Sequence, residues 1–263
     1  MIFLTEDNYH SPSANWDYMS VSMFKIFMEC EEQAMALLRG DYKRESSEAM
    51  LIGSYVDAWC EGTLDTFKDE HPEIYNSKSK EKVLKKDFEQ AETIISEIEK
   101  DEIMMNYLSG QKQVILTAEM YGTPWKIKID NYIPDEMISD LKIMKSVDDK
   151  FWSKELRKYV SFVENFKYQF QMNIYTMVEA LATNREYYLP TYLVVATKEN
   201  PSKRIILEGF HHDMPYVQDY LAYYMPHILA VKNGEIDADA CGKCQWCRST
   251  GITTKSDYHF ILE

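Results

Sequence analysis

Apolar residues change their period near residue 110. Before it they recur every three to four positions, and after it they alternate with polar ones in short runs. "SVSMFKIFMECEEQAMALLRG" (20–40) opens on Ser at an N-cap position and closes at Gly40, which predicts one helix. "SSEAMLIGSYVDAWCEG" (46–62) predicts a second, with Gly53 inside it. An interior Gly costs roughly 1 kcal/mol against Ala, so close packing is expected at that point. Residues 80–108 carry a long charged helical pattern, and 1–18 read as irregular. "KQVILTAEMYGTPWKIKIDNYIPDEMISDLKIMKS" then predicts three antiparallel strands at about 112–120, 124–132 and 137–144, broken at Tyr-Gly-Thr-Pro and Ile-Pro-Asp. Helical patterns return at 149–158, 164–183 and 213–232, with strands predicted in "LPTYLVVATKE" (189–199) and "KRIILEGFHH" (203–212). The order predicts a mixed α/β fold with helices packed on a sheet.

The strands carry charge where a buried sheet prefers none. Asp140 and Lys142 are two apart and share one face of their strand, while Ser139, Leu141 and Ile143 take the other. Asp130, on the preceding strand, falls beside Asp140 in a hairpin pairing. Two adjoining carboxylates repel, and a divalent cation relieves the conflict. Hard oxygen donors on adjacent strands suit Mg²⁺ or Mn²⁺, with positions left for water and phosphate. A lysine beside such an ion can orient or deprotonate water and neutralise phosphoryl charge, which is phosphodiesterase chemistry. An exposed, half-polar strand edge would carry the same Asp-x-Lys. Gln171 and Tyr175, four apart, share a helix face able to hold water or phosphate, though an ordinary amphipathic helix would too. Asp57 lies one turn after Gly53 and is a third carboxylate candidate, and Glu119 is a weaker one.

The 263 residues suit one domain, 1–263, made of an N-terminal helical part (1–108), a sheet core (109–212) and a C-terminal helix with a cysteine cluster (213–263). A 45% hydrophobic and 27% charged composition predicts a full core. No apolar run approaches the ~20 residues of a membrane span, and no leader pattern is visible, so a cytosolic protein without membrane contact is expected. The net charge of −14 argues against a general nucleic-acid binder, but it does not describe one cleft, and metal-binding carboxylates add to it.

Four motifs in sequence order, "GSYVD", "KIKID", "DLK" and "QMNIY", resemble the PD-(D/E)xK nuclease superfamily in its RecB-like and RecE-like exonuclease branch, over roughly residues 18–250. The resemblance implies a restriction-endonuclease-like αβββαβ core, a mixed central sheet flanked by N- and C-terminal helices. It implies Asp57, Asp130, Asp140 and the Leu141 main-chain carbonyl as ligands of Mg²⁺ or Mn²⁺, Lys142 as the catalytic lysine, and Gln171 and Tyr175 as positioning groups. Asp57 stands where relatives carry His. Pro134-Asp135 falls in the turn, and Asp130 fills the family's Asp slot. The implied activity is 5′-to-3′ exonuclease action on double-stranded DNA ends in phage-type recombination, in a bacterial host. A RecT-like annealing protein and a homo-oligomeric ring are implied with it. A catalytically degenerate binding module and a structure-specific endonuclease share most of these features.

Cys241, Cys244 and Cys247 lie within seven residues, a spacing that points to a metal more than to disulfides. A closed site needs a fourth ligand. AddB-like and CRISPR-associated RecB-like nucleases resemble this layout, with one cysteine before the core and three after it. That resemblance implies a [4Fe–4S] cluster on Cys30, Cys241, Cys244 and Cys247, with Cys60 as a buried thiol. Zn²⁺ on the same ligands is the alternative, and a set of reduced, metal-free cysteines is a third. His211, His212 and His259 read as surface or core histidines.

Overall fold

The computed structural model describes residues 2–44, 47–77, 82–153 and 156–251; His259 lies outside them. Helices run α1 (Pro12–Asp17), α2 (Val21–Glu29), α3 (Glu31–Arg39), α4 (Glu48–Glu61), α5 (Leu64–Glu70), α6 (Lys86–Glu99), α7 (Glu102–Tyr107), α8 (Phe162–Asn165), α9 (Tyr168–Thr183), α10 (Met214–Lys232) and α11 (Gln245–Ser249). Strands run β1 (Gln111–Met120), β2 (Thr123–Ile133), β3 (Met137–Met144), β4 (Phe151–Ser153), β5 (Lys158–Val160), β6 (Thr191–Thr197) and β7 (Arg204–Leu207). Contacts divide the chain into two compact units. One gathers Met1–Glu45, Thr117–Ile127 and Gln218–Glu263; the other gathers Ser46–Leu116 and Lys128–Val217.

In the first unit the predicted helix over 20–40 is two helices. Cys30 is extended between them, with φ −168° and ψ 110°, so the break turns its backbone out of the helical path. The irregular start expected for 1–18 contains α1, set by the Ser11 N-cap and a Pro at the first helical turn. Trp125 is fully buried, and its ring lies 6.1 Å from that of Phe24.

The second unit holds the chemistry-bearing strands. The five-stranded sheet has the order β1-β2-β3-β6-β7, and β1 and β2 supply residues to both units. β2 and β3 pair antiparallel, as their two-period patterns predict, and β3 and β6 pair parallel. A parallel partner needs a crossover, which α9 supplies. One face of β3 and β6 presents Leu141, Ile143, Val194 and Ala196 to Ile52, Tyr55, Val56, Phe88 and Ile98 of α4 and α6. On the other face Met144, Leu193 and Val195 meet Phe162, Tyr168 and Met172. Glu179 anchors the far end of α9: fully buried, it accepts the Tyr132 hydroxyl at 2.7 Å and pairs with Arg185 at 3.1 Å.

Several boundaries differ from the pattern. The helix expected over 80–108 is α6 and α7, because Asp101 caps the Met104 N–H and restarts the helix; residues 80 and 81 lie outside the described ones. Where a helix is expected over 149–158 the described residues form the β4–β5 ladder, in which Trp152 faces Tyr159 and Phe151 faces Val160; residues 154 and 155 lie outside the described ones. Aromatic and β-branched side chains favour strands, and these runs are too short for a period to declare itself. Lys167, at φ 54°, separates α8 from α9 inside the predicted 164–183 helix. The strand expected over 203–212 stops at Leu207, and a 3₁₀ turn follows Gly209.

Two glycines carry different lessons. Close packing is expected at Gly53, yet a methyl there would meet nothing within 4 Å among the described residues. Gly53 instead leaves open the face of α4 one turn before Asp57. At Gly110 a Cβ would lie 2.7 Å from the Tyr132 backbone nitrogen. Overpacking against backbone costs about 1–3 kcal/mol. Gly110→Ala is therefore expected to lower the denaturant midpoint by the equivalent of about 2 kcal/mol. An unchanged midpoint would mean that β2 yields freely there.

Candidate active site

β3 places Asp140 and Lys142 on the face that α9 covers, through the register Asp140↔Leu193 and Lys142↔Val195. Asp140 is 1% exposed, so both of its oxygens need partners. Gln171 Nε2 donates to Oδ1 at 2.6 Å, and the Lys142 ammonium closes on Oδ2. Lys142 also donates to the Leu141 carbonyl at 3.3 Å and stands 5.9 Å from the Tyr168 ring centroid. Burial opposes its charge, but Asp140 and Asp130 outweigh burial and hold the ammonium above its ordinary value.

The pairs Tyr132↔Ile138 and Asn131↔Ser139, carried one step further, bring Asp130 opposite Asp140. Asp130 is pushed well above the ordinary carboxylate range, by burial first and by the Asp140 charge next. Burial also pushes Asp57 up to about 6, with Lys142 pulling it down and Asp140 pushing it up. Asp57, Asp130 and Leu141 line a small cleft with Cys60, Glu61, Gln113 and Asn131. The Asp140 charge raises both Asp57 and Asp130, so the three carboxylates are near neighbours, and hard oxygen donors grouped in this way suit a divalent cation. They are looser than the cysteine site, which is the one group of three or more His, Cys, Asp or Glu among the described residues with ligand atoms within 4.8 Å of one another.

Tyr175 lies one turn past Gln171 on α9, half-buried. Glu119 does not join the cleft. It is exposed on β1, six residues beyond the cleft-lining Gln113, or roughly 20 Å along an extended strand. Pattern reading passes over Lys128, Lys112 and Gln113. Lys128 is two residues before Asp130 and lowers the Asp57 carboxyl, so strand alternation could have found it. Lys112 Nζ reaches the Asn131 side chain and the Leu108 carbonyl, and lies 3.4 Å from Cys60 Sγ.

The cysteines form a second centre, in the first unit. Cys30 Sγ lies 3.6 Å from Cys247 Sγ and 3.7 Å from Cys244 Sγ. Backbone N–H groups of Lys243 and Cys244 donate to Cys241 Sγ, that of Cys247 to Cys244 Sγ, and that of Cys241 to Cys30 Sγ. Such donors favour thiolates, but burial outweighs them at Cys30, whose thiol is pushed up to about 12, and at Cys244, which is also raised. Burial alone would raise Cys241, but the N–H groups outweigh it and bring the thiol down to about 7. A thiophilic metal or cluster fits this donor set. Cys60 belongs to the cleft, half-buried, and His211 and His212 are not part of the four-sulfur group.

Comparison with known proteins agrees with this fold. Residues 20–250 match the model of a PDDEXK-like domain of unknown function (DUF3799). The chain belongs to that family. It is also similar to the crystal structure of a candidate exonuclease from Eubacterium rectale, at 40% identity and a TM-score of 0.91 over 100% of this chain and 98% of that one. No curated protein matches. No helix among the described residues is long and apolar enough to cross a membrane.

Proposed function

We propose that the chain is a metal-dependent deoxyribonuclease that removes nucleotides from the ends of duplex DNA. The observation that carries this reading is the buried Asp140 clamped between Lys142 and Gln171, with Asp130 brought opposite. A pure binding module has no use for adjoining buried carboxylates whose ionisation burial opposes. Asp57, Asp130, Asp140 and the Leu141 carbonyl would hold Mg²⁺ or Mn²⁺. When bound, that cation supplies Lewis acidity toward phosphate and water. Lys142, kept protonated by its carboxylate neighbours, offers positive charge to a phosphoryl oxygen rather than acting as a base. Gln171 fixes the orientation of Asp140, and Tyr175, one turn further along α9, would meet the strand. The similarity to the Eubacterium rectale protein supports the exonuclease assignment. The 5′-to-3′ polarity, a recombination role with a RecT-like partner and a ring assembly rest on the motif resemblance alone.

An acidic chain needs local features to hold DNA. The β4–β5 ladder exposes Trp152 (53%) and Tyr159 (68%), in edge contact at 5.3 Å, near exposed Arg157 and Lys158. Aromatic faces stack on bases at about 1–3 kcal/mol each. Trp152→Ala with Tyr159→Ala is expected to weaken binding of a single-stranded oligonucleotide by roughly tenfold or more, read by fluorescence anisotropy. Equal affinity would place the strand elsewhere.

The reading is tested on linear and covalently closed circular duplexes with Mg²⁺. Nucleotide release from linear DNA alone supports an exonuclease. Nicking of the circle indicates an endonuclease, and end binding without turnover indicates a degenerate module. The cysteine centre has two supported occupants. The layout resemblance supports [4Fe–4S], whereas sulfur separations of 3.6 and 3.7 Å approach the ~3.8 Å edge of a tetrahedral site with Zn–S bonds of about 2.3 Å. Visible absorption of the purified protein separates them.

A further inference from the structure

The structure assigns to Gln113 a role in the cleft: we propose that it is a positioning residue whose amide orients Asp130 and whose carbonyl oxygen would accept from a proton donor brought in with the divalent cation. The inference rests on the metal-dependent reading above and goes beyond the residues that any motif marks.

Backbone, hydrogen bonding and location all single out this residue. Six non-glycine residues adopt positive φ among the described ones. Tyr121, Asp135 and Arg157 lie between strands, and Lys167 and Asn184 flank α9 at its caps. Gln113, at φ 54°, is the one inside a strand. A side chain that disfavours this conformation sits where glycine would be relaxed, which points to a use for the side chain. That side chain lines the cleft with Asp57 and Asp130. Its Nε2 donates to Asp130 Oδ1 at 3.3 Å. Its Oε1 is buried and has no hydrogen-bond partner among the described residues.

The orientation of the amide follows from chemistry. An ionised carboxylate only accepts, so the N–H side must face Asp130 when that residue serves as a ligand. The carbonyl is then the free end, and a buried carbonyl without a donor is costly. Hydrated cations carry water protons that such an oxygen accepts, and groups of this kind behind metal ligands commonly change metal affinity by about 10–100-fold.

The test is Mn²⁺ titration of the full-length protein followed by electron paramagnetic resonance, comparing wild type, Gln113→Gly, Gln113→Leu and Asp140→Ala. Gln113→Gly removes the side chain and relaxes the backbone, so its melting temperature in divalent-free buffer is expected to match or exceed that of wild type. Its Mn²⁺ affinity is expected to fall about tenfold, with an altered spectrum of the residual bound ion. Gln113→Leu keeps the bulk without the polar ends and is expected to lose as much. Wild-type affinity in both variants, while Asp140→Ala abolishes binding, would overturn the role of Gln113 and leave the metal site standing. Binding that Asp140→Ala does not change would remove the metal site itself, and this inference with it.

Discussion

Asp130→Asn is expected to make the metal-free protein more stable and the metal-loaded protein inactive. Both signs follow from one conflict. Asp130 is half-buried opposite Asp140 and is pushed well above the ordinary carboxylate range. A carboxyl raised in the folded state binds more protons there than in the unfolded chain. Stability is therefore lost as pH rises from the unfolded value near 3.8 toward the folded one. Asp57, raised to about 6, acts in the same direction. Replacing Asp130 by Asn leaves Asp140 paired with Lys142, keeps an acceptor for Gln113 and removes one buried charge. A gain on the order of 1–3 kcal/mol at pH 8 is expected from denaturant melts without added divalent ions, with a flatter dependence above pH 4. With Mg²⁺ the same variant lacks a ligand, and turnover should fall by about 10³-fold, or about 4 kcal/mol. A variant that is both less stable and still active would contradict the assignment of Asp130.

Cys30→Ser is expected to act in the opposite way, by removing stability through the first unit. Cys30 brings a thiol to within hydrogen-bond distance of residues more than 200 positions away. Its extended backbone between α2 and α3 makes sense when the thiol must face Cys244 and Cys247. Without the bound group, four converging sulfurs have little to hold them together. Structural zinc contributes roughly 10–16 kcal/mol in small domains, so a loss of at least about 3 kcal/mol is expected here. The substitution should also abolish the zinc or iron content measured by elemental analysis. Strong chelation or oxidation of the wild type should lower the melting temperature similarly. A serine variant that melts with the wild type would show that the thiols are a packing cluster only.

The parts of this molecule that the sequence made legible are those with a period or a motif. β1, β2 and β3 fall within one or two residues of their predicted ends, because alternation and Pro-Asp punctuation mark them. Asp140 and Lys142 share a face for the same reason, and Asp57 is visible through Gly-x-x-x-Asp. Cys30 is not legible as a break, since its neighbours are good helix formers and the reason lies in residues 241–247. β4 and β5 are three residues each, too short to show a period. Gln113 gives no signal at all: a glutamine in a strand is ordinary until its backbone is seen to be left-handed.

The central claim is that Asp140 and Lys142 belong to one hydrolytic site served by a divalent cation. Its most direct measurement is release of acid-soluble nucleotides from linear duplex DNA by wild type and Asp140→Ala, each with Mg²⁺ and with EDTA, beside matched melting curves. The account predicts release by the wild type with Mg²⁺ only, and none by a folded Asp140→Ala protein. Equal release by both proteins, or release that persists in EDTA, would contradict it.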